Sequence, residues 1–293
     1  MTAPRRALFP KDLSGLSQLF ETVHTADGHR AIGEHLYLEL TSPGAALTGL
    51  VLEHRQQLVA YVGLTDGFQP GWWTGELAVH PAWRKREVFD SLLTAAIGEV
   101  VDNRATGLRL WTFLPHLVEA ALAMGFRSER ELRSLIIDLP HVNQAHYPTG
   151  VSIERFRPGH DENAWLEVNN QAFAGHPENG NWTVELLVQR MSQDWFHPDD
   201  LIVARRNDRM IGFCWTKREK PAVGEIYVIA VSPQYQGQGL GRELLINGLT
   251  HLSQAKANSA VLYVDSGNER ATRMYESIGF RLDHVDRSFV KSL

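Results

Sequence analysis

The strongest constraint on this chain of 293 residues is that it repeats itself: Val-His-Pro81 returns as Val-Ser-Pro233, and Gly125-Phe126 returns as Gly279-Phe280, at offsets of 152 and 154 residues. A duplication of that length limits the chain to two copies of one arrangement, which agrees with roughly 100–200 residues per domain. Each element read in one half therefore needs a counterpart in the other. In the first half, apolar periodicity predicts helices over 13–26 and 32–40, strands over 50–53, 58–64 and 76–79, a helix over 88–101, a strand over 108–111, a helix over 118–124 and a strand over 132–139. In the second half, a strand over 151–156 leads into helices over 161–174 and 184–192. Strands follow over 201–204, 211–216 and 225–231, then a helix over 239–256, a strand over 260–264 and a helix over 269–278. The turns His54-Arg55-Gln56-Gln57 and Asn207-Asp208 each read as hairpins. The stretch from Pro140 to Gly150 has two prolines, a glycine and no periodicity, and reads as a linker.

Composition bounds the partners. Hydrophobic residues at 43% and charged residues at 22% describe a globular chain. A formal charge of −5 has the wrong sign for a protein held to nucleic acid by phosphate contacts, so a small-molecule partner is expected. Cys214 is the only cysteine, which excludes an intrachain disulfide and a Cys-based zinc cluster and fits a reducing compartment. Cys214 lies in an apolar strand without a basic neighbour and reads as an inert core thiol. The thirteen histidines show no metal-ligand spacing, and no metal is expected. Arg5-Arg6 gives way to Lys11-Asp12 before an apolar export segment could form, and no run approaches the ~20 apolar residues of a membrane span. A cytoplasmic monomer is the expectation, and the sequon at Asn181 is read as chance.

The chemistry-bearing segment follows the strand over 225–231. Gln236-Gly237-Gln238-Gly239-Leu240-Gly241-Arg242 opens an apolar-periodic helix. Such a turn aims backbone N–H groups at an anion from the positive end of the helix dipole, and residues lacking Cβ let a pyrophosphate come close. Downstream lies Asn268-Glu269-Arg270-Ala271-Thr272-Arg273-Met274-Tyr275, closing at Gly279-Phe280. Together, Gln236-x-x-Gly239-x-Gly241 and Asn268-x-x-Ala271-x-x-x-Tyr275-x-x-x-Gly279-Phe280 resemble the GNAT superfamily of acyl-CoA-dependent N-acetyltransferases.

The resemblance implies a mixed α/β sheet whose fourth strand splays from the fifth, with acetyl-CoA as acetyl donor in the gap. It also implies pyrophosphate on residues 236–242, pantetheine against the backbone of Ile229, Ala230 and Val231, and further cofactor contacts from residues 268–273. The segments Asn169 to Thr183, Phe213 to Lys217 and Gly224 to Val228 resemble, more narrowly, the mycothiol synthase family of tandem GNAT enzymes, over the whole chain. That family acetylates the cysteinyl amine of cysteinyl-glucosaminyl-inositol. Two tandem GNAT domains are then expected, over 1–140 and 151–293, with 141–150 as linker.

The resemblance assigns the general base to Glu225, at the start of the strand, and a carboxylate acting through one water is adequate for an α-amine with a reference pKa of about 7.7–8.0. Tyr275, four residues from Ala271 on one helix face, is the expected acid for the leaving thiolate. The family match adds Glu34, Glu178, Lys217, Glu225 and Tyr263 as acceptor-binding residues, with Glu34 extending the pocket to the first half.

The first half departs from the pattern. Superposing Pro81 on Pro233 puts Arg84, Glu87 and Phe89 where Gln236, Gly239 and Gly241 stand, with Trp73 in place of Glu225. Superposing Gly125 on Gly279 puts Ala121 in place of Tyr275. The first half is therefore expected to bind acetyl-CoA weakly or not at all, with Phe89 obstructing the amides. Two other functions fit the motifs: acetylation of another small amine, or non-catalytic sensing of acetyl-CoA. Retention of both Glu225 and Tyr275 disfavours the sensor.

Overall fold

The computed structural model describes residues 3–7, 11–28, 30–41, 48–66, 69–140, 144–176, 179–220 and 222–293. The chain forms two compact units, Met1–Leu132 with Val285–Leu293, and Arg133–His284. These units depart from the sequence boundaries near 140 and 150 because the first takes in the end of the last strand, Val285–Leu293, and the second takes in the end of the first half from Arg133 onward.

In the first unit the elements are β1 (Arg5–Arg6), α1 (Leu13–Asp27), α2 (Glu34–Thr41), β2 (Thr48–His54), β3 (Gln57–Asp66), β4 (Trp72–Val79), α3 (Arg86–Asp102), β5 (Gly107–Thr112), α4 (Pro115–Ala123) and the start of β6 (Arg127–Asp138). The strands run β1-β2-β3-β4-β5, with β4 and β5 parallel and the other neighbours antiparallel. Arg55 and Gln56 both adopt positive φ, which closes the β2–β3 hairpin with the twist its strands require. The end of β12 (Arg281–Ser292), the last strand of the chain, pairs antiparallel with β5 from Arg287↔Thr112 to Ser292↔Gly107. Its Ser288 hydroxyl accepts from the Arg130 N–H at 3.1 Å and donates to Glu129 at 3.0 Å. Phe289 fills the first unit's core beside Phe89, Leu92 and Leu93 of α3. On the other face of the sheet, Leu16, Leu19 and Leu36 from α1 and α2 pack around Tyr61.

The second unit repeats the plan with β7 (Ser152–Arg155), α5 (Glu162–Ala172), α6 (Val184–Met191), β8 (Leu201–Arg206), β9 (Arg209–Lys220), β10 (Val223–Val231), α7 (Leu240–Gln254), β11 (Ser259–Asp265) and α8 (Glu269–Ile278). Its strand order is β7-β8-β9-β10-β11, and the remainder of β6 adds beside β11. Leu135 and Ile137 of that strand enter the core under α7 and α8, against Leu244, Leu245 and Leu249. The opposite face, under α5 and α6, is aromatic: Trp165, Trp182, Trp215 and Phe213 pack together. Of the expected linker, 141–143 lie outside the described residues. The remainder docks on α7, where the His146 N–H donates to Glu243 at 2.5 Å and the Tyr147 hydroxyl accepts from Asn247 at 2.8 Å. Among the described residues no helix is long and apolar enough to cross a membrane, and no group of three or more His, Cys, Asp or Glu could hold a metal ion.

Candidate active site

The cleft arises from a failure of pairing. The parallel ladder between β10 and β11 holds only at Val223↔Ser259, Gly224↔Ala260 and Glu225↔Val261. From Ile226 onward the two strands part, while β10 stays bonded to β9 as far as Val231↔Gly212. The ladder with β9 shifts register between Ile226 and Val228, so Tyr227 is an extra residue with no Cα partner. The bulge also changes the alternation: Ile226 and Ile229 pack toward α7 and α8, whereas Tyr227, Val228 and Ala230 pack toward α5 and α6. The splay expected of the fourth and fifth strands is thus present, and the backbone of Ile229, Ala230 and Val231 borders it.

At the end of β10 the chain turns through Pro233–Tyr235 into the glycine loop. Gly237 and Gly239 adopt φ of +79° and +86°, the left-handed region that residues with Cβ enter only with strain. Gln236 closes the turn, donating from Nε2 to the Val231 carbonyl at 3.0 Å. The Leu240 and Gly241 N–H groups fall in the first turn of α7, ahead of its internal ladder, and Arg242 already bonds the Gly239 carbonyl at 3.0 Å. Gln236 through Gly239 are exposed, whereas Leu240 anchors the helix in the core. Arg242 stands next to Glu243, 3.8 Å away.

Residues 268–273 divide in role. The Asn268 side chain caps α8, accepting from the Ala271 N–H at 3.1 Å, and Thr272 bonds the Asn268 carbonyl at 3.1 Å. Glu269 and Arg273 pair with each other at 2.9 Å in solvent. Arg270 reaches the loop, its guanidinium lying 3.6 Å from where a Cβ on Gly237 would stand. Asn268 therefore shapes the helix entry.

Glu225 sits on β10 where the ladder with β11 ends, half-buried and directly opposite Lys217 of β9. Opposed residues of an antiparallel pair share a face. Val261 neighbours Glu225 across the parallel ladder, so Tyr263, two residues further along β11, shares that face too and is 45% exposed. Glu34 begins α2 in the first unit. Glu178 lies outside the described residues. Of the acceptor candidates, the second unit thus brings Lys217, Glu225 and Tyr263 to one face.

Tyr275 lies in the core under α7 and α8, 7% exposed, with its ring 5.9 Å from that of Phe280. Burial, and secondarily the Cys214 thiol, push its phenol well above the ordinary value near 10, so at neutral pH it is a proton donor. Cys214 pairs with Ile229 in register, which sets Tyr275 beside the splayed part of β10. Burial likewise pushes the Cys214 thiol up to about 12, in keeping with an inert core residue.

The first unit lacks this arrangement in three ways. Its β3–β4 ladder runs without a shift from Ala60↔Val79 to Asp66↔Trp73, and β4 stays paired with β5 through Glu76↔Trp111. With no bulge residue, the position equivalent to Glu225 is Thr74 rather than Trp73, a one-residue correction that only the register reveals. The segment matching the glycine loop is wound into α3, which starts at Arg86, so no left-handed amide turn forms. Arg84 donates to the Val79 carbonyl at 3.1 Å, as Gln236 does to Val231, and is held by Asp27 at 2.6 and 2.7 Å. Phe89, expected to obstruct the amides, instead points into the core and is fully buried.

A bulged strand that parts from its parallel neighbour beside a left-handed glycine loop and a helix N-terminus defines an acyltransferase of the GNAT type. Residues 163–280 match the acetyltransferase (GNAT) family model. The chain is similar over its whole length to a tandem GNAT protein from the clavulanic acid biosynthesis pathway, with a TM-score of 0.77 at 16% identity, covering 99% of this chain and 97% of that one. Curated relatives named mycothiol acetyltransferase are nearer in sequence. That of Thermobispora bispora is 38% identical over 94% of this chain and 95% of its own length, and that of Thermomonospora curvata is 39% identical over 94% and 92%. The chain belongs to the mycothiol acetyltransferase family.

Sequence reasoning passed over Trp195 and Tyr227, which flank Lys217 at 4.4 and 5.0 Å. Tyr227 was signalled only by standing two residues beyond Glu225.

Proposed function

We propose that the second unit transfers the acetyl group of acetyl-CoA to the cysteinyl amine of cysteinyl-glucosaminyl-inositol, giving mycothiol. The observation that carries this reading is the parting of β10 from β11 at Glu225, with the glycine loop at the far end of the same strand. Where the strands part, Glu225 lies on one face of the sheet and Tyr275 packs on the other.

The loop fits a pyrophosphate. Gly237 and Gly239 hold the turn, the Leu240 and Gly241 amides stand at the positive end of α7, and Arg270 adds charge. Acetyl-CoA supplies the activated thioester. Backbone groups of Ile229, Ala230 and Val231 along the unpaired edge of β10 hold the pantetheine arm, and an N–H there stabilises the oxyanion. Glu225 takes the amine proton through one water while nitrogen bonds the carbonyl carbon. When the carbon–sulfur bond breaks, Tyr275 donates its proton to the departing sulfur. Lys217 and Tyr263 bind acceptor oxygens. The first unit, with its loop wound into α3, takes no part in donor binding.

The test is to incubate the protein with acetyl-CoA and the acceptor, following CoA release and product mass. We expect product from the wild type and a kcat lower by about 10²–10⁴ in Glu225→Gln, with acetyl-CoA affinity retained. Tyr275→Phe is expected to be impaired in the same direction. Donor binding without product would transfer the assignment to another amine.

A further inference from the structure

Lys217 is only 2% exposed, and an ammonium withdrawn from water is costly unless something replaces its hydration. Two aromatic faces contribute to that replacement. Its Nζ lies 4.4 Å from the Trp195 ring centroid and 5.0 Å from that of Tyr227. The two rings meet edge to face, 5.2 Å apart at 65°, and each also packs against Trp215, at 5.8 and 5.2 Å. The three rings brace one another, so neither clamp ring can swing away without breaking contact with Trp215.

The sequence positions converge from separate places. Trp195 follows α6, Tyr227 is the bulge residue of β10, and Lys217 stands on β9 opposite Glu225. The bulge turns Tyr227 and Val228 onto one face, so the tyrosine ring covers the lysine on the side of the sheet that carries Glu225 and Tyr263.

We infer that Trp195 and Tyr227 are positioning residues for the acceptor, holding the Lys217 ammonium charged and fixed beside Glu225 so that it donates to the oxygens of a polyhydroxylated amine. The inference rests on the function proposed above. Its own content is that acceptor recognition passes from the aromatic clamp through Lys217.

A double-mutant cycle with Trp195→Leu, Trp195→Phe, Lys217→Met and the Trp195→Leu/Lys217→Met pair tests it. Loss of a desolvated cation–π contact is expected to raise KM for the acceptor about ten- to thirtyfold in Trp195→Leu. The KM for acetyl-CoA stays within about twofold, Trp195→Phe restores most of the loss, and the double variant is no worse than Lys217→Met alone. Losses that multiply in the double variant, or that affect both substrates equally, would overturn the inference. A second readout does not depend on turnover: the ring faces predict an upfield displacement of the Lys217 εCH₂ proton signals, kept in Trp195→Phe and reduced in Trp195→Leu. Undisplaced signals in the wild type sink the clamp. Displaced signals with no acetylation of the acceptor would sink the proposed function and leave the clamp standing.

Discussion

Replacing Gly241 with alanine separates what the fold needs from what a ligand needs. Gly241 is the second residue of α7, with helical backbone and no positive φ. A Cβ built there meets nothing nearer than Val231 Cγ2 at 3.6 Å, an ordinary van der Waals contact. Alanine is favoured over glycine in a helix by about 0.5–1 kcal/mol. The free protein should therefore gain that much, a rise in melting temperature of roughly 1–4 °C. Binding should move the other way, because the new methyl group stands beside the Leu240 and Gly241 amides where the pyrophosphate approaches. Loss of one charge-assisted hydrogen bond, about 1.5–3 kcal/mol, corresponds to roughly a ten- to 150-fold weaker acetyl-CoA complex. Thermal unfolding without ligand and calorimetric titration with acetyl-CoA measure the two quantities on one preparation. Raised stability with unchanged affinity would refute the reasoning and make Gly241 a plain helix position.

Other outcomes follow from the same geometry. Gly239→Ala, at φ +86° with nothing within 4 Å, should lose about 1–2 kcal/mol of stability from backbone strain alone, opposite in sign to Gly241→Ala in the same melting experiment. Calorimetry should give one acetyl-CoA per chain, since Arg86 and Glu87 are helical where the second half has its left-handed turn; two sites would contradict the reading of the first unit. Phe289→Ala, although only four residues from the C-terminus, should cost about 3–5 kcal/mol in urea unfolding, because the ring is buried with Phe89 and Leu92.

The parts of the fold visible in sequence were those set by local chemistry. Glycines 237, 239 and 241 after an apolar strand marked the loop, and the apolar repeat of Leu240, Leu244, Leu245 and Leu249 marked α7. Strand β12 escaped because Arg281–Ser292 is largely polar and only Ser288 and Phe289 in it are buried. The bulge at Tyr227 escaped for another reason: a register shift belongs to a pair of strands, and β10 alone carries no mark of where β9 lies. The Thr74 equivalence and the aromatic clamp on Lys217 both depend on that shift. Linear alignment places Phe89 on Gly241, as an obstruction, but does not say which way a helical residue points, and the ring is buried in the core.

The traded strands bear on how such a chain can change over generations. Leu135 and Ile137 are encoded with the first copy yet pack in the core of the second, and Phe289 is encoded last yet packs in the first. Since each copy supplies strand to the other's sheet, deleting the first copy would strip Leu135 and Ile137 from the core of the second. Leu135 and Ile137 of the first half are thus constrained by the packing of the second unit, in the same core as Tyr275, whatever the first half itself binds.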